Sequence, residues 1–169
     1  MYITLQELEL HRVAASETYE PGTLDFQGAK FRQAGPLVAN VEADLAGKEI
    51  HLRGHISGAL EAACDRCLEQ IRIPVELDFD LPYRPMEEIT REEEVEVGED
   101  ELTVGFFSGD GVNLADVVKE QVLLSVPMKI VCGPDCRGLC PVCGVNHNVK
   151  ECGCSVQHND SPFAFLKKN

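Results

Sequence analysis

A chain of 169 residues with a formal net charge of −14, 44% hydrophobic and 26% charged residues and no tryptophan has the composition of a folded globular protein, not of a disordered tail. At this length folding removes roughly 68–70% of the extended surface from water, enough for one domain with a small appendage. The apolar stretches are short and broken by charge, well under the roughly 18 residues of a spanning helix. The opening MYITLQELELHR has no basic segment followed by an unbroken apolar run, so no membrane span or leader is expected and the expected location is cytoplasmic.

In chain order, Ile3 to Leu10 reads as a first strand and Tyr19 to Gly35 as a turn-rich, mostly irregular stretch. LVANVEADL, Leu37 to Leu45, alternates with period two. IHLRGHISGALEA, Ile50 to Ala62, sets Ile50, Leu52, Gly54, Ile56, Gly58, Leu60 and Ala62 on one side of a further strand. IRIPVELDFDL, Ile71 to Leu81, alternates again, and Pro74, which has no N–H to donate, predicts an edge or a bulge. The joining CDRCLEQ places Cys64 and Cys67 at the tip of a long hairpin. Nine acids and one arginine crowd Glu87 to Glu101, which reads as a solvated loop or a landing strip for a basic partner. Leu102 to Phe107 completes the strands. NLADVVKEQVLLSVP, with Asn113 as cap, Leu114, Val117, Val118, Gln121, Val122 and Ser125 at helical spacing and Pro127 as the stop, predicts a helix over about 113–126. Ser161 and Pro162 would open a short terminal helix. The expected fold is mainly β, of the α+β class: an antiparallel sheet or open barrel-like domain with one covering helix and a Cys-rich zinc-binding C-terminal segment. Residues 1–128 form the acidic β domain with its CxxC hairpin (64–67), and residues 129–169 form the knuckle tail.

Charge is divided along the same line. Residues 1–128 hold ten basic and 26 acidic side chains, a formal −16; from Lys129 onward there are five and three, a formal +2. Binding nucleic acid through its phosphates requires clustered cations. The body has the opposite sign.

The chain has eight cysteines, and they fall into four doublets: Cys64 and Cys67 (CxxC), Cys132 and Cys136 (CxxxC), Cys140 and Cys143 (CPxCG), Cys152 and Cys154 (CxC). Close doublets in a reducing compartment point to metal rather than disulfides. Eight thiolates make two tetrahedra for zinc, so two ions are expected and at least one. The shortest closed loops join Cys140, Cys143, Cys152 and Cys154, leaving Cys132 and Cys136 for Cys64 and Cys67. The alternative joins Cys132 and Cys136 to Cys140 and Cys143, with the hairpin doublet left to Cys152 and Cys154 or to no metal. CRGLCPVC has the spacing of a radical-enzyme iron–sulfur cluster, but only 26 residues follow Cys143, too few for the barrel that such a motif precedes. CDRC as a redox pair would need a helix N-terminus in a βαβ setting, whereas a hairpin is expected. A zinc ribbon touching nucleic acid through Arg137, Lys150, Lys167 and Lys168 is a further reading. His11, His51, His55, His147 and His158 are scattered; His51 and His55 share an exposed strand face, and His147 is at most a replacement ligand. No nucleophile elbow or metal-loop spacing occurs, so neither an enzyme nor a small-molecule substrate is expected.

The hairpin with CDRCL, the acidic stretch, LLSVPMKIVC, CRGLCPVCGVNHN, CGC and SPFAFLKK together resemble the YceD family of large ribosomal RNA subunit accumulation proteins, over about residues 35 to 168. Members with the longer tail typically read NLN where this chain has Asn146, His147 and Asn148, and Asn or Asp where it has Ser161. The resemblance implies a non-catalytic cytoplasmic role in the synthesis, processing or stability of 23S ribosomal RNA. The expected partners are a basic ribosomal protein or assembly factor and pre-ribosomal 23S rRNA.

Overall fold

The computed structural model describes residues 1–86 and 104–154. Two compact units divide the chain. One comprises Met1–Ala62 and Arg72–Met128, the other Ala63–Ile71 and Lys129–Asn169.

The first unit opens with strand β1 (Tyr2–Thr4) and helix α1 (Leu5–Leu10). Most of Ile3 to Leu10 is therefore helical, not the expected strand. The cause is local: the Thr4 hydroxyl accepts from the Glu7 amide at 3.2 Å while the Glu7 carboxylate accepts from the Thr4 amide at 3.1 Å. This reciprocal cap satisfies two of the donors that a helix start leaves open. Then come β2 (Val13–Tyr19), β3 (Phe31–Gln33), β4 (Leu37–Ala46), β5 (Glu49–Ala63), β6 (Gln70–Pro85), β7 (Gly105–Phe107), β8 (Gly111–Asn113) and α2 (Leu114–Ser125). Asn113 caps α2, accepting from the Ala115 amide at 3.1 Å.

Strands β2-β4-β5-β6-β7, in that order, with β3 paired to β5, form a six-stranded sheet, while β1 and β8 make a separate two-stranded pair. Among the described residues the protein is mostly sheet with few helices. The sheet is open, ending at β2 and β7, not closed into a barrel. It also departs from the expected all-antiparallel pattern, because β7 runs parallel to β6, with Tyr83 opposite Gly105. Since β7 meets β6 only at Tyr83–Pro85, the outer edge of β6 at Pro74 has no strand partner among the described residues, where a missing N–H costs nothing. Strand β5 pairs with β4 through Ser57 and with β3 from Leu60. Gly58 lies at the changeover, at φ +154°, where a Cβ would come within 2.8 Å of the Pro36 carbonyl oxygen; only glycine lets the strands approach so closely.

Period-two alternation turns Leu37, Ala39, Val41 and Ala43 of β4, Ile50, Leu52, Ile56 and Leu60 of β5, and Val75, Phe79 and Tyr83 of β6 into one core with Leu114, Val117, Val118 and Val122 of α2. Each such Val or Leu, fully buried, contributes roughly 1.5–3 kcal/mol. The opposite face of β5 is polar: Arg53 bonds Asp80 at 3.1 Å, and His55 lies between Asp78 at 2.8 Å and Glu76 at 3.0 Å. Among the described residues no helix is long and apolar enough to cross a membrane. The acidic run Glu87 to Glu101, Leu102 of the expected last strand, and the terminal helix expected at Ser161 lie outside the described residues.

Candidate metal centres

All the cysteines belong to the second unit, which is built on two turns of the same form. In Cys64-Asp65-Arg66-Cys67-Leu68 the Leu68 amide donates to the Cys64 carbonyl at 2.9 Å, and the Cys64 amide donates to the Glu69 carbonyl at 2.8 Å. In Cys140-Pro141-Val142-Cys143-Gly144 the Gly144 amide donates to the Cys140 carbonyl at 2.9 Å, and the Cys140 amide to the Val145 carbonyl at 2.8 Å. The fifth residue of each turn has positive φ, 74° at Gly144 and 61° at Leu68. This folds the chain back so that amides point at the first sulfur; the Arg66 amide lies 3.4 Å from Cys64 Sγ. CPVCG provides glycine for this position, whereas CDRCL must force a leucine into it.

The turns bring together two sets of four sulfurs, each set within 4.8 Å: Cys64, Cys67, Cys132 and Cys136, and Cys140, Cys143, Cys152 and Cys154. This is the grouping that short loops favour. In the first set Cys64 Sγ lies 3.8 Å from Cys136 Sγ and Cys67 Sγ lies 3.7 Å from Cys132 Sγ, and all eight cysteines are free. A tetrahedron with ion–sulfur bonds of about 2.3 Å has edges of about 3.8 Å, so the donor set fits a thiolate-loving dication such as zinc. A disulfide would need about 2.05 Å.

Proton affinities within each set are pulled apart. Burial opposes ionisation of Cys64, but the amides of Cys67, Arg66 and Cys132 outweigh it and bring the thiol down to about 6. The amides of Cys143 and Val142 likewise bring Cys140 down to about 6. Hydrogen bonding to the Cys136 sulfur, then to Cys67, pushes Cys132 up to about 12; hydrogen bonding to Cys143 and Cys152 does the same to Cys154. Four negative sulfurs in contact repel one another, and a central dication would remove the conflict. Closed four-thiolate coordination leaves no position for a substrate.

Residues that sequence reasoning missed hold the sets in place. The Asp65 amide donates to the Ile130 carbonyl at 2.7 Å while its carboxylate accepts from the Ile130 amide at 2.8 Å. This brings the segment carrying Cys132 alongside the hairpin tip, where the Cys132 amide reaches Cys64 Sγ at 3.3 Å. Asn148 donates to Cys136 Sγ at 3.4 Å and accepts from the Arg137 amide at 2.8 Å; Asn146 donates to Glu69 at 2.9 Å. The signal in the sequence was the NHN triplet between two thiol doublets, since side-chain amides near sulfur are natural outer-shell donors. His147 Nε2 lies 3.9 Å from Cys152 Sγ. Of the expected tail cations, Arg137 is paired with Glu151 at 3.1 Å, Lys150 is exposed, and Lys167 and Lys168 lie outside the described residues. His51 approaches Glu49 at 3.6 Å and His11 closes α1; His158 lies outside the described residues.

An acid-rich sheet protein with two four-cysteine sets capable of holding metal is thus the class that the fold and site define. A family model described as large ribosomal RNA subunit accumulation protein YceD matches residues 52–168, and the chain belongs to that family. It is 27% identical over 141 residues to an uncharacterized protein of Mycobacterium tuberculosis, covering 81% of this chain and 62% of that protein. It is 29% identical over 119 residues to YlbN of Bacillus subtilis, covering 69% and 63%. To the chloroplastic large ribosomal RNA subunit accumulation protein YCED homolog 1 of Zea mays it is 26% identical over 163 residues, covering 81% and 54%. The chain thus spans somewhat more than half the length of these relatives. No solved structure matches it.

Proposed function

We propose that this protein is a non-catalytic, cytoplasmic ribosome-biogenesis factor that supports the synthesis, processing or stability of 23S rRNA as a zinc-stabilised interaction module. Membership of the YceD family carries the reading, through the role that the family's description names. Electrostatics decide the form of the interaction. With a formal −16 over residues 1–128, wrapping of RNA by the sheet is opposed by like charge, while a basic ribosomal protein or assembly factor is attracted. Pairing of Arg137 with Glu151 weakens the case for the tail as a direct RNA reader. Zinc in both sets closes the second unit without creating a reactive centre, in line with a binding role.

Affinity capture from lysate with and without RNase, read by mass spectrometry, tests the reading. A basic ribosomal or assembly protein should be retained after RNase and released by salt. Loss of every partner on RNase treatment would refute the protein-mediated form and favour direct contact with 23S rRNA, which charge reversal at Arg137 and Lys150 would then weaken.

A further inference from the structure

The two thiol sets are built differently. Cys64, Cys67 and Cys136 are buried together, with Val131 packed against them; within that set only Cys132 is exposed. In the other set Cys140 is buried, Cys152 half-buried, and Cys143 and Cys154 exposed. A chelator or a competing thiol attacks an ion most readily where the ligands face water. Beside this open set is an additional nitrogen donor. His147 is held by its amide on the Gly138 carbonyl at 2.9 Å, and its Nε2 lies 3.9 Å from Cys152 Sγ, outside the four-sulfur set itself but next to the sulfur whose place it could take. The described neighbourhood of the first set contains no histidine in this relation.

We propose that the set Cys140, Cys143, Cys152 and Cys154 is an exchangeable zinc site, in which the His147 imidazole is a reserve ligand for the position of Cys152. In the exchange the bond from the ion to Cys152 Sγ would break and the Nε2 lone pair of His147 would form the new one, with no bond within the protein made or broken. Coordination changes from four sulfurs to three sulfurs and one nitrogen, and no electron is transferred. The buried set stays closed throughout. The inference rests on the metal-clasp reading above and adds a division of labour: one ion for the fold, the other open to trade.

The zinc-loaded protein tests it in one experiment. Native mass spectrometry first counts the ions; a count of zero overturns the clasp reading itself, before any chelator is added. With two ions bound, excess EDTA and iodoacetamide are added, and ion loss and alkylation are followed by mass. One ion should leave first, with label appearing on Cys140, Cys143, Cys152 and Cys154 before Cys64, Cys67, Cys132 and Cys136. His147→Ala should hasten the first loss about tenfold, as loss of a supporting ligand does, and leave the second unchanged. Cys152→Ser should keep two ions, with the cobalt-substituted form showing the spectrum of three thiolates and one imidazole, while Cys152→Ser with His147→Ala should keep one. Loss of both ions in a single step, earlier labelling of the buried set, an unaltered rate in His147→Ala, or loss of the ion from Cys152→Ser despite His147 would each overturn the proposal.

Discussion

Leu68 holds a φ of 61° and as a residue is 62% exposed, in the position that Gly144 fills in the companion turn. A left-handed conformation costs a residue with a Cβ about 1–2 kcal/mol, while glycine costs the unfolded chain about 0.5–1 kcal/mol more entropy. Leu68→Gly is therefore expected to raise stability by about 0.5–1 kcal/mol in urea unfolding; a drop would mean that contacts of the exposed side chain outweigh the strain. On the sheet face, the hydrogen bond to Asp78 chiefly raises the His55 pKa, against partial desolvation and with help from Glu76. A pKa raised by folding contributes stability that is complete below the ordinary histidine range and is lost as pH rises through the raised value. NMR titration should put the His55 midpoint above that of a free histidine, and Asp78→Asn should bring it down. The grouping of the cysteines was legible because thiols two to four positions apart share one turn and so come together in pairs. Asp65 was not, because a polar side chain in a loop looks the same whether it faces the backbone or water, and Asn146 and Asn148 were marked only by their place between two thiol doublets.

Among the elements, those with long repeats could be read directly. The alternations of β4, β5 and β6 run ten to sixteen residues, and α2 announced itself through Asn113 and the buried Leu114, Val117, Val118 and Val122. Strands β1, β3 and β8 have three residues each, too few to show a period; β1 and β8 exist through pairing across more than a hundred residues. Helix α1 was misread for a related reason. Its six residues bury only Leu8, so no helical stripe forms, and the Thr4–Glu7 capping box was the decisive sign. Thr4→Ala should cost about 1 kcal/mol in urea unfolding, whereas a change within error would mean that packing alone holds α1. The parallel pairing of β7 with β6 could not be foreseen, because period two says which face is buried but not which way the neighbouring strand runs.

At the scale of the whole molecule the two units have different sources of stability. The first has a continuous apolar core. Among its described residues the second has a cluster of three buried cysteines with Val131 against them, and Ile130 and Cys140 are buried besides, a small apolar core to hold it without cross-links. If ions supply those links, their binding energy is folding energy, and EDTA should erase the dispersed amide signals of residues 63–71 and 129–154 while those of the sheet persist. Survival of both sets of signals in metal-free protein would remove zinc from the account. The span between Cys67 and Cys132, whose sulfurs meet across 65 positions, also sets a timetable for synthesis. At about 5–20 residues per second, the hairpin doublet waits on the order of 3–13 s on the nascent chain before its partners are made. During that interval it is a bare dithiol, and an oxidant reaching it first would lock the hairpin before the metal could be delivered.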